Sequence, residues 1–248
     1  MPASDAHPGD IRNAKVTFIN RDTGAVIASN LPVSLVNSAD KKTGTVSYAW
    51  SVNIGNADSA TVTVGIRVDN YYARNDSSEN TLVTVKKPTA GSIGGGGFVI
   101  NAASTGQYAG TAGLKTNFGL NVKFNKSGSN LQGNVNIILR SVESGVVKVY
   151  QIKSNAIDSM NIQNPSGDVS TATFTSKANL TDITNPAAPV ALGGNRILQI
   201  TITDRGEPGG ADSIGITLDG GASFSSRWSG TMTVEQTLDG GNLQVRPN

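Results

Sequence analysis

Apolar and polar residues alternate along most of this chain with a period of two, the pattern of strands buried on one face. Residues 16–19 and 25–28 read as two short strands around the turn Arg21-Asp22-Thr23-Gly24, and residues 33–36 follow Pro32, a strand-edge signal. The clearest alternation puts Tyr48, Trp50, Val52 and Ile54 on one face and Ser47, Ala49, Ser51 and Asn53 on the other, so Trp50 reads as core. Val62, Val64, Ile66 and Val68 oppose Thr61, Thr63, Arg67 and Asp69 in the same way, and residues 82–85 close the set. About seven short strands with regular turn signals predict an immunoglobulin-like sandwich over residues 13–87.

The sharpest break is KKPTAGSIGGGG at residues 86–97, which marks a domain boundary. Residues 88–97 read as linker and strand start, because Gly94 to Gly97 run directly into Phe98-Val99-Ile100. Glycines there suit a strand that another backbone approaches closely. Beyond them, Leu120, Val122 and Phe124 point inward from residues 117–125, and the turn at 125–130 leads into a strand over 131–140. Glu143-Ser144-Gly145 joins that strand to 146–152 in a meander. Residues 157–162, 172–178, 197–204, 213–218, 232–235 and 243–245 supply further strands. About nine or ten strands over residues 98–248 predict a larger, jelly-roll-like sandwich, and no apolar period of 3.6 persists. The expected fold is all-β, two tandem β-sandwich domains.

Composition narrows the context. Charged residues make up 15% of the 248, below the roughly 25% usual for soluble domains, and turn- and strand-forming residues replace them. With 20 basic and 18 acidic residues spread without blocks, no electrostatic footprint for nucleic acid or an anionic membrane is present. There is no cysteine, which excludes disulfides, thiolate metal sites and cysteine nucleophiles. No apolar run reaches the roughly 18 residues that span a bilayer. Residues 1–12 lack the apolar core of a signal peptide and read as a leader, with any export signal lying upstream in a longer chain.

Candidate chemistry is sparse. His7 is the only histidine and falls in the leader, so no histidine-based triad or metal cluster is expected in the folded part. GTAGLKT at 110–116 is similar to a phosphate loop, but Leu114 stands where a glycine belongs and no helix pattern follows. The most distinctive polar stretch is TDRGEPGGADS, residues 203–213. It places Asp204, Glu207 and Asp212 on a glycine-rich loop, hard oxygen donors of the kind calcium needs; the alternative is that the aspartates cap turns while Glu207 is solvated. Phe224, Arg227 and Trp228 form either a sugar-stacking patch or the anchor of a long loop. Tyr71 and Tyr72 are adjacent, so in a continuing strand one of them faces solvent and is a candidate ligand contact.

The strings GGGGFVINA, GLKTNFGLNVKFNKSGSNLQGNVN, VYQIKSNAI, DRGEPGGADSIGITL and GGNLQV, in that order, resemble a post-COAP-type β-sandwich module of large secreted bacterial and archaeal proteins. The resemblance covers residues 94–245. VTFINRDTGAVI and TVSYAWSVNIGNADSATVTVGIRVDNYY resemble the immunoglobulin-like repeats that often precede it. The resemblance implies an extracellular or cell-surface location and a structural or adhesive role, and it carries over no catalytic residue. The expectation is a non-enzymatic module that requires no cofactor, with calcium as the candidate ion. Its expected partners are other surface proteins, copies of itself or glycans, with no nucleic acid and no membrane insertion. The competing expectation is a carbohydrate-binding appendage of a secreted enzyme.

Overall fold

The structure is a computed structural model that describes residues 9–70, 72–87, 91–125 and 130–247, apart from the side chains of Pro165 and Ser166. Within them the chain is all-β, with short 3-10 turns and no α-helix. It divides into two compact units, residues 1–87 and 88–248. His7 and Tyr71 lie outside the described residues, as do 88–90 of the expected linker and most of the turn at 125–130. Among the described residues no helix is long and apolar enough to cross a membrane.

Local turn chemistry starts the first unit. Asn20 accepts from the N–H groups of Asp22 and Thr23, at 2.9 and 3.2 Å, and Gly24 adopts the left-handed φ of 76° that brings the chain back. This hairpin joins β1 (Lys15–Asn20) to β2 (Val26–Pro32). The short strands β3 (Ser34–Leu35) and β4 (Gly44–Thr45) pair with each other, and β5 (Ser59–Asp69) and β6 (Thr81–Lys86) complete an antiparallel sheet in the order β2-β1-β5-β6. Ala14, Val16 and Val33 form a small core with Ile11, Phe18, Val46, Val68 and Tyr72 packed against it.

One expected strand does not form. Residues 46–54 join no ladder among the described residues, and Tyr48 is 47% exposed. Trp50, Val52 and Ile54 are half-buried while Ser51 and Asn53 are exposed, so the alternation survives without pairing. Alternation states which way a side chain faces, whereas a strand also needs a neighbour with free backbone groups. Trp50 is therefore a half-buried residue of an unpaired segment and not the centre of a core strand.

The second unit is one long meander that curls over its own core. Its strands are β7 (Gly91–Ile100), β8 (Lys115–Phe124), β9 (Leu131–Glu143), β10 (Val146–Ser166), β11 (Val169–Asp182), β12 (Val190–Asp204) and β13 (Ser213–Leu218), each antiparallel to the next. Short strands follow: β14 (Phe224–Ser225), β15 (Trp228–Ser229), β16 (Met232–Thr233) and β17 (Gln236–Thr237), before β18 (Gly240–Pro247). β14 and β17 pair with β13 at one edge of the sheet, and β18 pairs with β7 at the other. The two edges are joined through Leu238 and Asp239, so the sheet is nearly closed and β18 lies across the core from β10, β11 and β12. Inward residues such as Ile137, Leu139, Ile152, Phe174, Leu180, Leu198, Ile200 and Ile216 are fully buried in a single cluster.

Glycine makes the β7–β18 seam. A Cβ on Gly97 would stand 2.2 Å from the Gly240 carbonyl oxygen, and one on Gly95 would stand 2.2 Å from that of Asn242. The glycine run is thus strand, with another backbone closest at Gly95 and Gly97.

Candidate functional site

The acidic loop of residues 204–212 connects β12 to β13 and faces the outer edge of β18. Leu243 and Val245 direct their N–H groups away from β7, where a further strand's carbonyls would be. Two carboxylates take that place. Asp212 Oδ2 accepts from Leu243 N at 2.9 Å, and Asp204 Oδ2 accepts from Val245 N at 2.7 Å. Their other oxygens accept inside the loop, Asp212 Oδ1 from Arg205 N and Asp204 Oδ1 from Gly206 N, both at 2.9 Å. Asp212 is fully buried, and its carbonyl also takes the N–H of Leu238 at 2.9 Å.

Glycine again leaves room for this arrangement. A Cβ on Gly209 would fall 2.4 Å from Asp212 Oδ2 and 2.0 Å from Asn242 Oδ1. Glu207 stands at the rim, where Asn242 donates to both its oxygens at 3.0 Å and Gln244 donates to Oε1 at 2.5 Å. These amides, Asn242 first and Gln244 second, hold the Glu207 carboxyl below its ordinary pKa. Arg205 folds back over the loop, donating to the Ala211 carbonyl at 2.8 Å and to Ser213 Oγ at 3.1 Å, and the Ser213 hydroxyl in turn donates to Glu235 Oε2 at 2.6 Å.

The three residues nominated for calcium therefore lie at one edge of the sheet, with each carboxylate oxygen turned to an N–H donor of the chain. Among the described residues, no group of three or more His, Cys, Asp or Glu side chains converges as an ion would require. Beside the loop lies an open cleft of about 600 Å³, lined by Asp168, Ser170, Asp204, Arg205, Glu207 and Arg246.

The other nominated residues separate. Phe224 is fully buried in the main core, so it offers no stacking face. Trp228 is half-buried; its ring lies against Gly221, where a Cβ would come within 2.6 Å of it, and its indole N–H donates to the Gly230 carbonyl at 3.0 Å. Arg227 is exposed. Trp228 thus anchors the β15–β16 hairpin, and no aromatic patch is assembled with Phe224. Tyr72 packs on the small core of the first unit.

The outward face of the second unit carries a feature that single positions do not reveal. Polar side chains bond to one another from strand to strand: Gln151 of β10 to Asn136 of β9 at 2.8 Å, Arg140 of β9 to Asn117 of β8 at 2.7 Å, and Asn155 of β10, reaching past β11, to Asn195 of β12 at 3.0 Å. The period of two places Asn117, Asn136, Gln151 and Asn155 outward, which the sequence shows, but only the strand register makes them neighbours. Arg196 and Asp219 were also not legible: Arg196 Nη1 meets Asp219 Oδ2 at 2.6 Å and Ser223 Oγ at 2.6 Å. No family model, curated protein or solved structure matches this chain.

Proposed function

We propose that this chain is a non-catalytic structural or adhesive module of a secreted or cell-surface protein, working through contacts with proteins or with copies of itself. The observation that supports the reading most is the amide-lined outer face of the large sheet. Side chains bonded across β8, β9, β10 and β12 are held in place before any partner arrives, which lowers the ordering cost of binding. The polar groups that invite a catalytic or metal reading, Asp204, Glu207 and Asp212, are spent on closing the sheet. The closure is made by hydrogen bonds within the chain itself.

Glycans are the second class of partner, because a rigid row of Asn and Gln amides offers both donors and acceptors to sugar hydroxyls. The test is a glycan array run beside a sedimentation series, each with the parent chain and with Asn136→Arg. Saturable glycan binding that Asn136→Arg abolishes at unchanged Tm is the expected result on the array, and reversible association is the expected result in sedimentation. Turnover on a polysaccharide or ester panel would refute the non-catalytic reading, and contacts insensitive to Asn136→Arg would move them off this face.

A further inference from the structure

The edges of the two sheets are not treated alike. On the second unit β18 is covered by the carboxylates of Asp204 and Asp212, and β14 and β17 are two residues each. On the first unit β2 ends in Pro32, has Asn30 at a φ of 56°, and loses register at two points against β1. Proline, irregularity, short length and charged side chains, lysine above all, are the usual means by which proteins keep sheet edges from pairing.

β6 has no proline, bulge or truncation, and its charges, Lys86 with Lys87 beyond it, are confined to one end. It holds continuous register with β5 from Thr81 to Lys86, contains no proline or glycine, and is the last strand of its sheet among the described residues. Lys87 N donates to the Asp58 carbonyl at 2.9 Å, which continues the Ser59–Lys86 register and fixes its phase. Thr81, Val83 and Val85 accordingly turn their backbone groups to β5, and Leu82, Thr84 and Lys86 turn theirs outward. The side chains of Leu82, Thr84 and Lys86 are all exposed, Leu82 to 71%.

We propose that β6 is an assembly edge, which pairs antiparallel with β6 of a second copy of this chain about a two-fold axis at Thr84. In that register Thr84 faces its own mate, Leu82 faces Lys86, Val83 faces Val85, and Thr81 faces Lys87. Charge selects this direction: parallel pairing would set Lys86 beside Lys86 and Lys87 beside Lys87, whereas antiparallel pairing sends the lysines to opposite ends. Two four-stranded sheets become one continuous sheet. Because the contact is isologous and the β2 edge is blunted, assembly stops at the dimer. This inference gives the structural reading above a partner, and it does not depend on the amide face of the second unit.

The test is sedimentation of the full chain from about 1 µM to about 1 mM, the span in which small interfaces assemble. Thr84→Lys places two like charges together on the axis, and Thr84→Pro removes an outward N–H at a position where an edge strand tolerates it. Both are expected to raise the dimer Kd roughly several-fold, the effect of like charges or a lost pair in a small contact. Because the chain has no cysteine, Thr84→Cys also gives a clean probe: a short bis-maleimide should join two copies, while Thr23→Cys on the exposed first turn should not. Absence of any dimer, or crosslinking equal at the two positions, overturns the proposal. Oligomers unmoved by Thr84→Lys overturn it too, while leaving self-assembly through another face standing. Should Thr84→Pro not fold, Thr84→Lys decides.

Discussion

Replacing Asp212 with alanine should loosen the larger unit at a single identifiable strand. The carboxylate is fully buried and accepts the N–H groups of Leu243 and Arg205, both at 2.9 Å. Hydrogen bonds to a charged group contribute about 1.5–3 kcal/mol each, so losing two costs about 3–6 kcal/mol. Relief from burying a charge offsets part of that, which leaves a net loss of about 3 kcal/mol. For a unit of this size, at about 2–4 °C per kcal/mol, the melting transition should fall by roughly 6–12 °C. Asp212→Asn keeps one acceptor and should fall between the variant and the parent. Asp168→Ala, an exposed position lining the neighbouring cleft, should stay within about 0.5 kcal/mol of the parent. The assay is thermal unfolding paired with amide hydrogen exchange, in which Leu243 should lose protection before residues in the centre of β11. A parent-like transition in Asp212→Ala, with Leu243 still protected, would refute the view that this carboxylate substitutes for a neighbouring strand.

Three further outcomes follow from the same geometry. Unfolding scans with calcium and after chelation should superimpose, because the oxygens of Asp204, Glu207 and Asp212 already face N–H donors; a chelation-induced fall in Tm would place an ion on the loop. Glu207 has a folded-state pKa below its ordinary 4.5, so its contribution is complete above that value and is lost as pH falls through the lowered one; Glu207→Gln should flatten the acid limb of a Tm-against-pH curve. Gly97→Val would bring a Cβ to 2.2 Å from the Gly240 carbonyl oxygen and should destabilise the larger unit by more than about 1 kcal/mol, read as a lower urea midpoint with early exchange along β18.

How much was legible depended on whether the determining contact was local. The alternation of Leu120, Val122 and Phe124 located β8, and the glycine run before Phe98 was readable as a strand because close approach leaves only glycine as a solution. β10 looked like two strands, 146–152 and 157–162, but is one of 21 residues. The register shift between Ser154 and Ala156 moves the inward set from even to odd positions, so Ile157 packs on the core, and the shift between Ile157 and Ser159 moves it back, so Met160 joins Ile152. Residues 46–54 gave the opposite error, a clean period with no strand to pair with. The acidic loop was found, but not its partners, because Leu243 and Val245 lie 31 and 41 residues beyond Asp212 and Asp204. A carboxylate that accepts backbone N–H groups and one that binds an ion look the same in sequence.

The pairing of β7 with β18 also fixes how the larger unit would respond to tension. Gly91, where the chain emerges from the junction, is the register partner of Pro247 at the far end of the sequence. A load entering at one and leaving at the other pulls on the same end of an antiparallel ladder, so hydrogen-bonded pairs yield one after another, like a zipper, instead of sharing the force in shear. Asp204, on Val245, and Asp212, on Leu243, would be the first side chains to let go.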